Sequence, residues 1–306
     1  MQFHDLCCPT LLLSETHFPS LDRPEAMADA LEEVADWGFY GGFEIADIED
    51  APARKRIART IHACQLRLTV WMSRVLARDG LNLSDLHEAR RRDAVARLVA
   101  WLEPVAECGA CQFALLSGPD PGEPDRHAAT EQLRCSLEDL CLAAAPYGLA
   151  ILLEPLDREV HKKGLIGPTK EATALAAQLA GRHANFGLSW DSGHVDLSGE
   201  DWTNSLNECR PYVRQIHLSN PVLDPAHPQY GDFHLPVGAP GVLDVARMAE
   251  LFPLLARLGL VGASALPIAV EVRGSDDPRA TERHCRESLL AAWAIYEQTP
   301  PTYGHS

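Results

Sequence analysis

Apolar residues along this chain fall into short runs, separated by longer stretches in which they recur every three or four positions. The alternation repeats eight times. The short runs lie at 3–8 (FHDLCC), 39–45 (FYGGFEI), 68–72 (LTVWM), 111–116 (CQFALL), 149–153 (LAILL), 185–190 (NFGLSW), 213–218 (VRQIHL) and 267–272 (PIAVEV). Runs of this length with apolar residues on both faces read as strands buried on both sides, the pattern of a parallel sheet covered by helices. The stretches between them carry helix signals. Asp22, with Pro24 in the first turn, opens a segment that places Met27, Leu31 and Val34 on one face. Ser84 opens a long segment that Pro104 should kink or break near its C-terminal end. Pro168 and Thr169 open a helix closed by Gly181, and Asp244 opens one closed by Gly259.

Eight strand–helix units over 306 residues average about 38 residues each, which suits a (β/α)₈ TIM barrel forming one domain over residues 1–306. The Pro- and Gly-rich stretch 117–125 and the segment 219–243 read as loops of that domain. An open doubly wound sheet is the competing architecture, but its phosphate-binding GxGxxG after the first strand is missing.

Composition narrows the function. The chain has 27 basic and 43 acidic residues, a net charge of −16, which disfavours nucleic acid as a partner because phosphate contacts need a basic face. No run approaches the length of a membrane span. The N-terminus carries Asp5 and no basic segment, so no signal peptide is expected. Nine cysteines, an odd number without framework spacing, read as reduced thiols of a cytoplasmic protein. The C-x-x-C at 108–111 has no second pair, and packing is its simpler reading.

In a barrel of this kind the site lies at the C-terminal ends of the strands. There the fifth strand ends in Glu154, the sixth in Asp191, the seventh contains His217 and the eighth ends in Glu271. One carboxylate at a strand end is usually a helix cap or an ion-pair member. Three carboxylates and an imidazole on adjacent strands instead crowd negative charge into one mouth, at a cost of several kcal/mol without a counter-ion. A divalent cation removes that conflict, and the oxygen-rich donor set favours one Mn²⁺, with Mg²⁺, Co²⁺ or Zn²⁺ as substitutes. Glu44, on the second strand, is a candidate supporting residue. His194, Asp232 and His234 form a second tier that could bind substrate or a second metal. Trp71 and Trp190 could stack on a sugar ring, core packing being nearly as good a reading. Arg158, Lys162 and Lys163 could lie over the mouth, as could Arg273, which follows Glu271 by two residues.

Glu154, Asp191-x-x-His194, His217, the GDFHLPVGAPG loop and Glu271 together resemble the xylose-isomerase-like barrel superfamily, in particular its sugar (phosphate) isomerases and epimerases, which include ketose 3-epimerases and hydroxypyruvate isomerase. EPLDR is similar to that family's E-x-x-N-R strand end, with Asp157 in place of asparagine. The resemblance implies that Glu154, Asp191, His217 and Glu271 bind one divalent metal, that Glu154 and Glu271 are the catalytic acid/base pair, and that His194 binds substrate oxygen. The D-x-H loop is more distantly similar to endonuclease IV. That relative needs further histidines from earlier strands, and the third and fourth strands here end VWMSR and ALLSGP.

Taking a proton from a carbon next to a carbonyl is hard because enolate charge must be stabilised as it develops. A chelating cation and two flanking carboxylates meet that need. The expectation is a metal-dependent epimerase or isomerase acting on a small carbohydrate through a metal-stabilised enediolate. A keto-glycoside lyase would use the same chemistry. A phosphodiester hydrolase and a non-catalytic binding subunit are the alternatives from other classes. Barrels of this kind are often dimers or tetramers, so a homo-oligomer is an expectation from fold alone.

Overall fold

Eight parallel strands close on themselves in a computed structural model of the chain, which describes residues 2–262 and 265–298. They are β1 (Cys8–Leu12), β2 (Gly42–Ala46), β3 (Arg67–Trp71), β4 (Gln112–Leu116), β5 (Ala150–Glu154), β6 (Phe186–Asp191), β7 (Val213–Ser219) and β8 (Pro267–Glu271). Each pairs with its neighbours in sequence, and β8 closes the barrel on β1. Helices lie between the strands, so the expected (β/α)₈ TIM barrel is what the chain forms.

From β2 to β8 the strands match the apolar runs to within three residues at either end. β1 does not. Residues Phe3–Leu6 form a helical turn instead of a strand, with the Gln2 backbone N–H donating to the Asp5 carboxylate at 2.7 Å. The Phe3 ring packs on Phe39 and Trp293 at the N-terminal end of the barrel. The strand begins only at Cys8, whose N–H donates to the Leu266 carbonyl at 3.0 Å. The first residues of the apolar run at 3–8 are therefore a helical turn packed beside β1, and the C-terminal end of β1 lies further along the chain than the run suggested.

Two helix starts also differ. Arg23, not Asp22, precedes the helix Pro24–Ala35, and Asp22 pairs with Arg74 at 2.6 Å. Ser84 is buried in a turn, hydrogen-bonded to Asn82, and the helix starts at Glu88. It ends at Val99, and a separate turn, Leu102–Glu107, carries Pro104 in its first turn, where the missing N–H costs nothing. The helix Thr169–Ala180 follows Pro168 and stops at Gly181 as expected. Asp244 caps its helix by accepting from the Arg247 N–H at 2.8 Å, and the following helix ends at Gly259 in the left-handed conformation.

Side chains on each strand alternate between helix layer and barrel interior. Phe43, Phe113 and Phe186 face the helices and belong to the main core, whereas Leu12, Trp71, Ala114, Leu152 and Ala269 form a separate interior cluster. A polar layer crosses the interior beneath the mouth: the Thr69 hydroxyl donates to Gln215 Oε1 at 2.9 Å, and the Gln215 amide donates to Glu44 at 2.7 Å. All nine cysteines are unpaired. No helix among the described residues is long and apolar enough to cross a membrane.

Phe113 is fully buried between β4 and the helices. Phe113→Ala should lower the unfolding free energy by about 3–5 kcal/mol, the usual cost of truncating a buried aromatic. Urea denaturation at constant m-value checks this.

Candidate active site

The strand alternation that turns Trp190 outward turns Asp191 inward, and the same parity brings Glu154, His217 and Glu271 to the mouth. One ligand atom from each of Glu154, Asp191, His217 and Glu271 lies within 4.8 Å of all the others. His217 Nδ1 is the hub, 3.1 Å from Glu154 Oε1, 3.2 Å from Glu271 Oε2 and 3.9 Å from Asp191 Oδ2. Local sequence fixes each residue. Glu154 precedes Pro155, which keeps it extended and carries the strand to the rim. Asp191 ends β6 and caps the next turn, its Oδ1 accepting from the His194 N–H at 3.0 Å. Its Oδ2 is left facing the cluster, where it accepts from the Ser219 hydroxyl at 2.5 Å. Gly193 permits this close turn, since a Cβ there would stand 2.9 Å from the Ser219 side chain.

The layer below sets the state of His217. Glu44 Oε2 accepts from Trp71 Nε1 at 2.6 Å and Gln215 Nε2 at 2.7 Å, and lies 3.0 Å from His217 Nε2. An ionised carboxylate only accepts, so His217 carries a proton on Nε2 and turns Nδ1 to the cluster. Nδ1 and Glu154 Oε1 are both buried without a hydrogen bond. No lysine or arginine among the described residues lies within 4.0 Å of Glu154, Asp191 or Glu271. Three acceptor carboxylates and a ring nitrogen converging on one point fit a divalent cation, and these four residues would hold it.

The electrostatics show the strain of that arrangement. Burial pushes the Asp191 carboxyl up to about 7, with His194 opposing and Glu271 and Glu154 raising it further. Burial disfavours charge on His217, but Glu44 and Glu271 outweigh it and hold the ring well above its ordinary range. Burial likewise works against Glu271 as an anion, yet His234 and His217 keep it well below the usual carboxylate range. The site holds protons where a cation would sit.

A second tier surrounds the cluster. Asp157, fully buried after β5, accepts the His161 backbone N–H at 2.5 Å and lies 3.2 Å from His194 Nδ1. His194 Nε2 then faces Asp232 Oδ2 at 4.0 Å. His234 sits on the same oxygen, Nε2 at 3.1 Å, with its Nδ1 2.9 Å from Glu15. Lys162 completes the group, 3.0 Å from Asp232 Oδ2. Both tiers open into a cavity of about 230 Å³, with Leu12, Trp71 and Leu116 among its apolar lining, small for a ligand pocket.

His194, Asp232 and His234 thus come together, and Trp71 and Arg273 lie at the cavity. Two residues go elsewhere. Trp190 faces the helices, its indole donating to Ser205 at 2.9 Å and its ring edge-on to Trp202. Arg158 turns from the mouth to Glu171, 13 residues on, and to the Leu165 carbonyl. Arg273 is tied to Glu15 at 2.9 Å and lies over the Phe18 ring. Glu15 was missed because the first strand was placed too early. Gln215 and Ser219 were missed although each lies two residues from His217 and therefore faces the same way.

The sequence and the fold place the chain in a family. A parallel barrel with acids and histidines at its C-terminal mouth is one class of enzyme-like scaffold, and the sequence specifies which. Residues 31–289 match the family model described as xylose isomerase-like TIM barrel, and the chain belongs to that family. No curated protein matches the sequence. Among solved structures, the IolI protein with a bound zinc atom is similar at TM-score 0.72 and 13% identity, over 94% of this chain and 99% of that one. An L-ribulose 3-epimerase is similar at TM-score 0.71 and 14% identity, over 97% and 99%. An AP endonuclease, family 2, from Brucella melitensis is similar at TM-score 0.64 and 19% identity, over 94% and 98%. At such identities the likeness is one of fold.

The raised groups give a pH prediction. Asp191 shifts from 3.8 to about 7, so its contribution to stability is present below pH 4 and lost as pH rises through 7. His194, held up to about 9 mainly by Asp191 and Asp157 against the cost of burial, loses its contribution over a higher window in the same direction. Metal-stripped protein should therefore lose Tm between pH 5 and pH 8. Mn²⁺ at one hundred times its pH 8 Kd should stabilise the protein by about 2.7 kcal/mol at pH 8, and the same Mn²⁺ concentration should raise Tm less at pH 5, where protons compete for the site. Asp191→Asn should abolish most of that shift. Differential scanning calorimetry at both pH values decides it, and a pH-independent shift would contradict this assignment.

Proposed function

We propose that this chain is a divalent-cation-dependent epimerase or isomerase, acting on a sugar or keto-sugar by moving a proton at a carbon next to a carbonyl. One observation carries the reading. Glu154 and Glu271, from strands on either side of β6 and β7, converge on His217 Nδ1 at 3.1 and 3.2 Å, with no lysine or arginine beside them among the described residues. That set calls for a cation and offers two carboxylates to whatever occupies the cavity.

A bound cation would supply the positive charge that orients the substrate oxygens and stabilises negative charge as it develops. Mn²⁺ suits three carboxylates and one imidazole, and Mg²⁺, Co²⁺ or Zn²⁺ share enough of that preference to substitute. The chain does the rest. One of Glu154 and Glu271 takes the proton from carbon, and the other returns it on the opposite face when the outcome is epimerisation. A single carboxylate suffices for transfer between neighbouring carbons. Ser219, 3.1 Å from Glu271 Oε2, and His234, 3.5 Å from Glu271 Oε1, hold that carboxylate in place. Trp71 and Leu116 line the cavity with apolar surface. The similarity to an L-ribulose 3-epimerase supports a carbohydrate substrate.

The hydrolase reading, suggested by the AP endonuclease neighbour, finds less at the mouth. Each basic side chain lining the cavity already has a carboxylate partner: Arg74 has Asp47 and Asp22, Lys162 has Asp232 and Arg273 has Glu15. None is free for a phosphate backbone.

The test is proton exchange. Mn²⁺-loaded protein is incubated in D₂O with free ketoses, keto-glycosides and their phosphates, and deuterium is read by mass spectrometry. Deuterium should appear at a carbon next to the carbonyl of one substrate. Glu154→Gln and Glu271→Gln should each cut that exchange by about 10²–10⁴-fold, the usual worth of a positioned acid or base. Undiminished exchange in both variants would overturn the roles given to these carboxylates. Cleavage of abasic-site DNA without exchange would establish the hydrolase.

A further inference from the structure

The rim of the barrel is divided in two. Strands β5 to β8 bring the acids and His217 together, whereas β1, β2, β3 and β4 end in Leu12, Ala46, Trp71 and Leu116. All four of these apolar residues line the cavity. In a closed eight-stranded barrel β1 stands across from β5 and β3 across from β7. A ligand gripped at the acidic half therefore lays the rest of itself over the apolar half. Trp71 is fixed there, because its indole donates to the buried Glu44 carboxylate at 2.6 Å.

Two hydroxyls interrupt the apolar half. Ser14 stands two residues past the end of β1 and Ser73 two past the end of β3, and both line the cavity. Ser14 is only 8% exposed, yet neither hydroxyl makes a hydrogen bond to any of the described residues. Other serines at the mouth bond within the protein: Ser117 donates to the Gly118 carbonyl at 3.2 Å, Ser192 to the Ser219 carbonyl at 3.4 Å and Ser219 to Asp191 at 2.5 Å. Even Thr16, in the same turn as Ser14, donates to the Leu13 carbonyl at 3.2 Å. A nearly buried hydroxyl without a protein partner is unfavourable unless something in the cavity bonds to it.

Charge is treated in the opposite way. Among the described residues, the cation that lines the cavity from this half is Arg74, and it is paired twice, Nε 2.8 Å from the buried Asp47 and Nη1 2.6 Å from Asp22. A phosphate or carboxylate placed here would meet apolar strand ends and no unpaired cation, at a large desolvation cost. A hydroxylated carbon chain would meet apolar surface for its C–H groups and two open hydroxyls for its oxygens. We infer that the β1–β4 half of the mouth receives the uncharged tail of the sugar, with Ser14 and Ser73 hydrogen-bonding its hydroxyls, so that the chain selects free sugars over their terminal phosphate esters. The inference rests on the proposed reaction, which holds the carbonyl end of the substrate at Glu154 and Glu271.

The experiment compares matched ligands on the Mn²⁺-loaded protein: five- and six-carbon ketoses, their terminal phosphate esters and their terminal deoxy analogues. Binding is read by isothermal titration and deuterium exchange by mass spectrometry. A free ketose should bind and exchange, and its phosphate ester should do both at least tenfold more weakly. Ser14→Ala and Ser73→Ala should each raise KM by about two- to tenfold, the worth of one hydrogen bond between uncharged groups, with kcat changed less. Each variant should also lose the wild type's preference for a parent ketose over the analogue lacking the matching hydroxyl, a readout that a merely structural serine would not move. Ser73→Lys, which adds an unpaired cation, should bring the phosphate ester closer to its parent. A phosphate ester bound as tightly as the free ketose, or alanine variants with unchanged KM and unchanged discrimination, would overturn the inference and leave the proposed reaction standing. Selective ketose binding without exchange would contradict the reaction and still support the two serines. Failure to bind any ketose would overturn both.

Discussion

Like charges brought together in a buried mouth are the constraint on which the rest of this molecule turns. Ligand atoms of Glu154, Asp191 and Glu271 lie within 4.8 Å of one another around His217, in a mostly buried place where water screens them poorly. Such an arrangement costs several kcal/mol unless protons or a cation offset it. The closed barrel makes it affordable, because strands fixed by both neighbours cannot splay to relieve the repulsion. The layer beneath, Thr69, Gln215 and Glu44, then fixes which nitrogen of His217 faces upward. Fold stability and site geometry are thus in tension, and the fold holds the site against its own electrostatics.

The way the chain distributes positive charge follows from the same constraint. Acids at the outer mouth have protein cations, Arg74 on Asp47, Arg273 on Glu15 and Lys162 on Asp232, each at 3.0 Å or less. The inner acids have only histidines. An arginine among them would have removed the conflict and with it any reason to bind an ion. The unbalanced set, rather than any one residue, is what the proposed metal-assisted proton transfer rests on.

Much of this was legible in the sequence, for identifiable reasons. Strands apolar on both faces announce a parallel barrel, and the residue at which each apolar run stops lands on the rim. Glu154, Asp191 and Glu271 each end a strand, and His217 stands two residues before the end of β7. What escaped had physical causes. The Phe3–Leu6 turn looks like a strand because Phe3 and Leu6 are apolar for packing instead of pairing, and this hid Glu15. Trp190 was weighed as a sugar platform, although the alternation that sends Asp191 inward must send it outward. Arg158 reaches Glu171 through a loop whose path no periodicity encodes. The meeting of Lys162 with the Asp232 loop joins residues 70 apart across the barrel mouth, a contact that only the closed fold creates.

The most direct measurement is anomalous diffraction from crystals soaked in Mn²⁺ at neutral pH. The account predicts a peak roughly 2.0–2.3 Å from Glu154, Asp191, His217 Nδ1 and Glu271 together, the range for oxygen and imidazole ligands of small divalent ions. It also predicts that Glu44 remains on the far side of His217. A saturated crystal with these four side chains in place and no ion among them would contradict the account at its root.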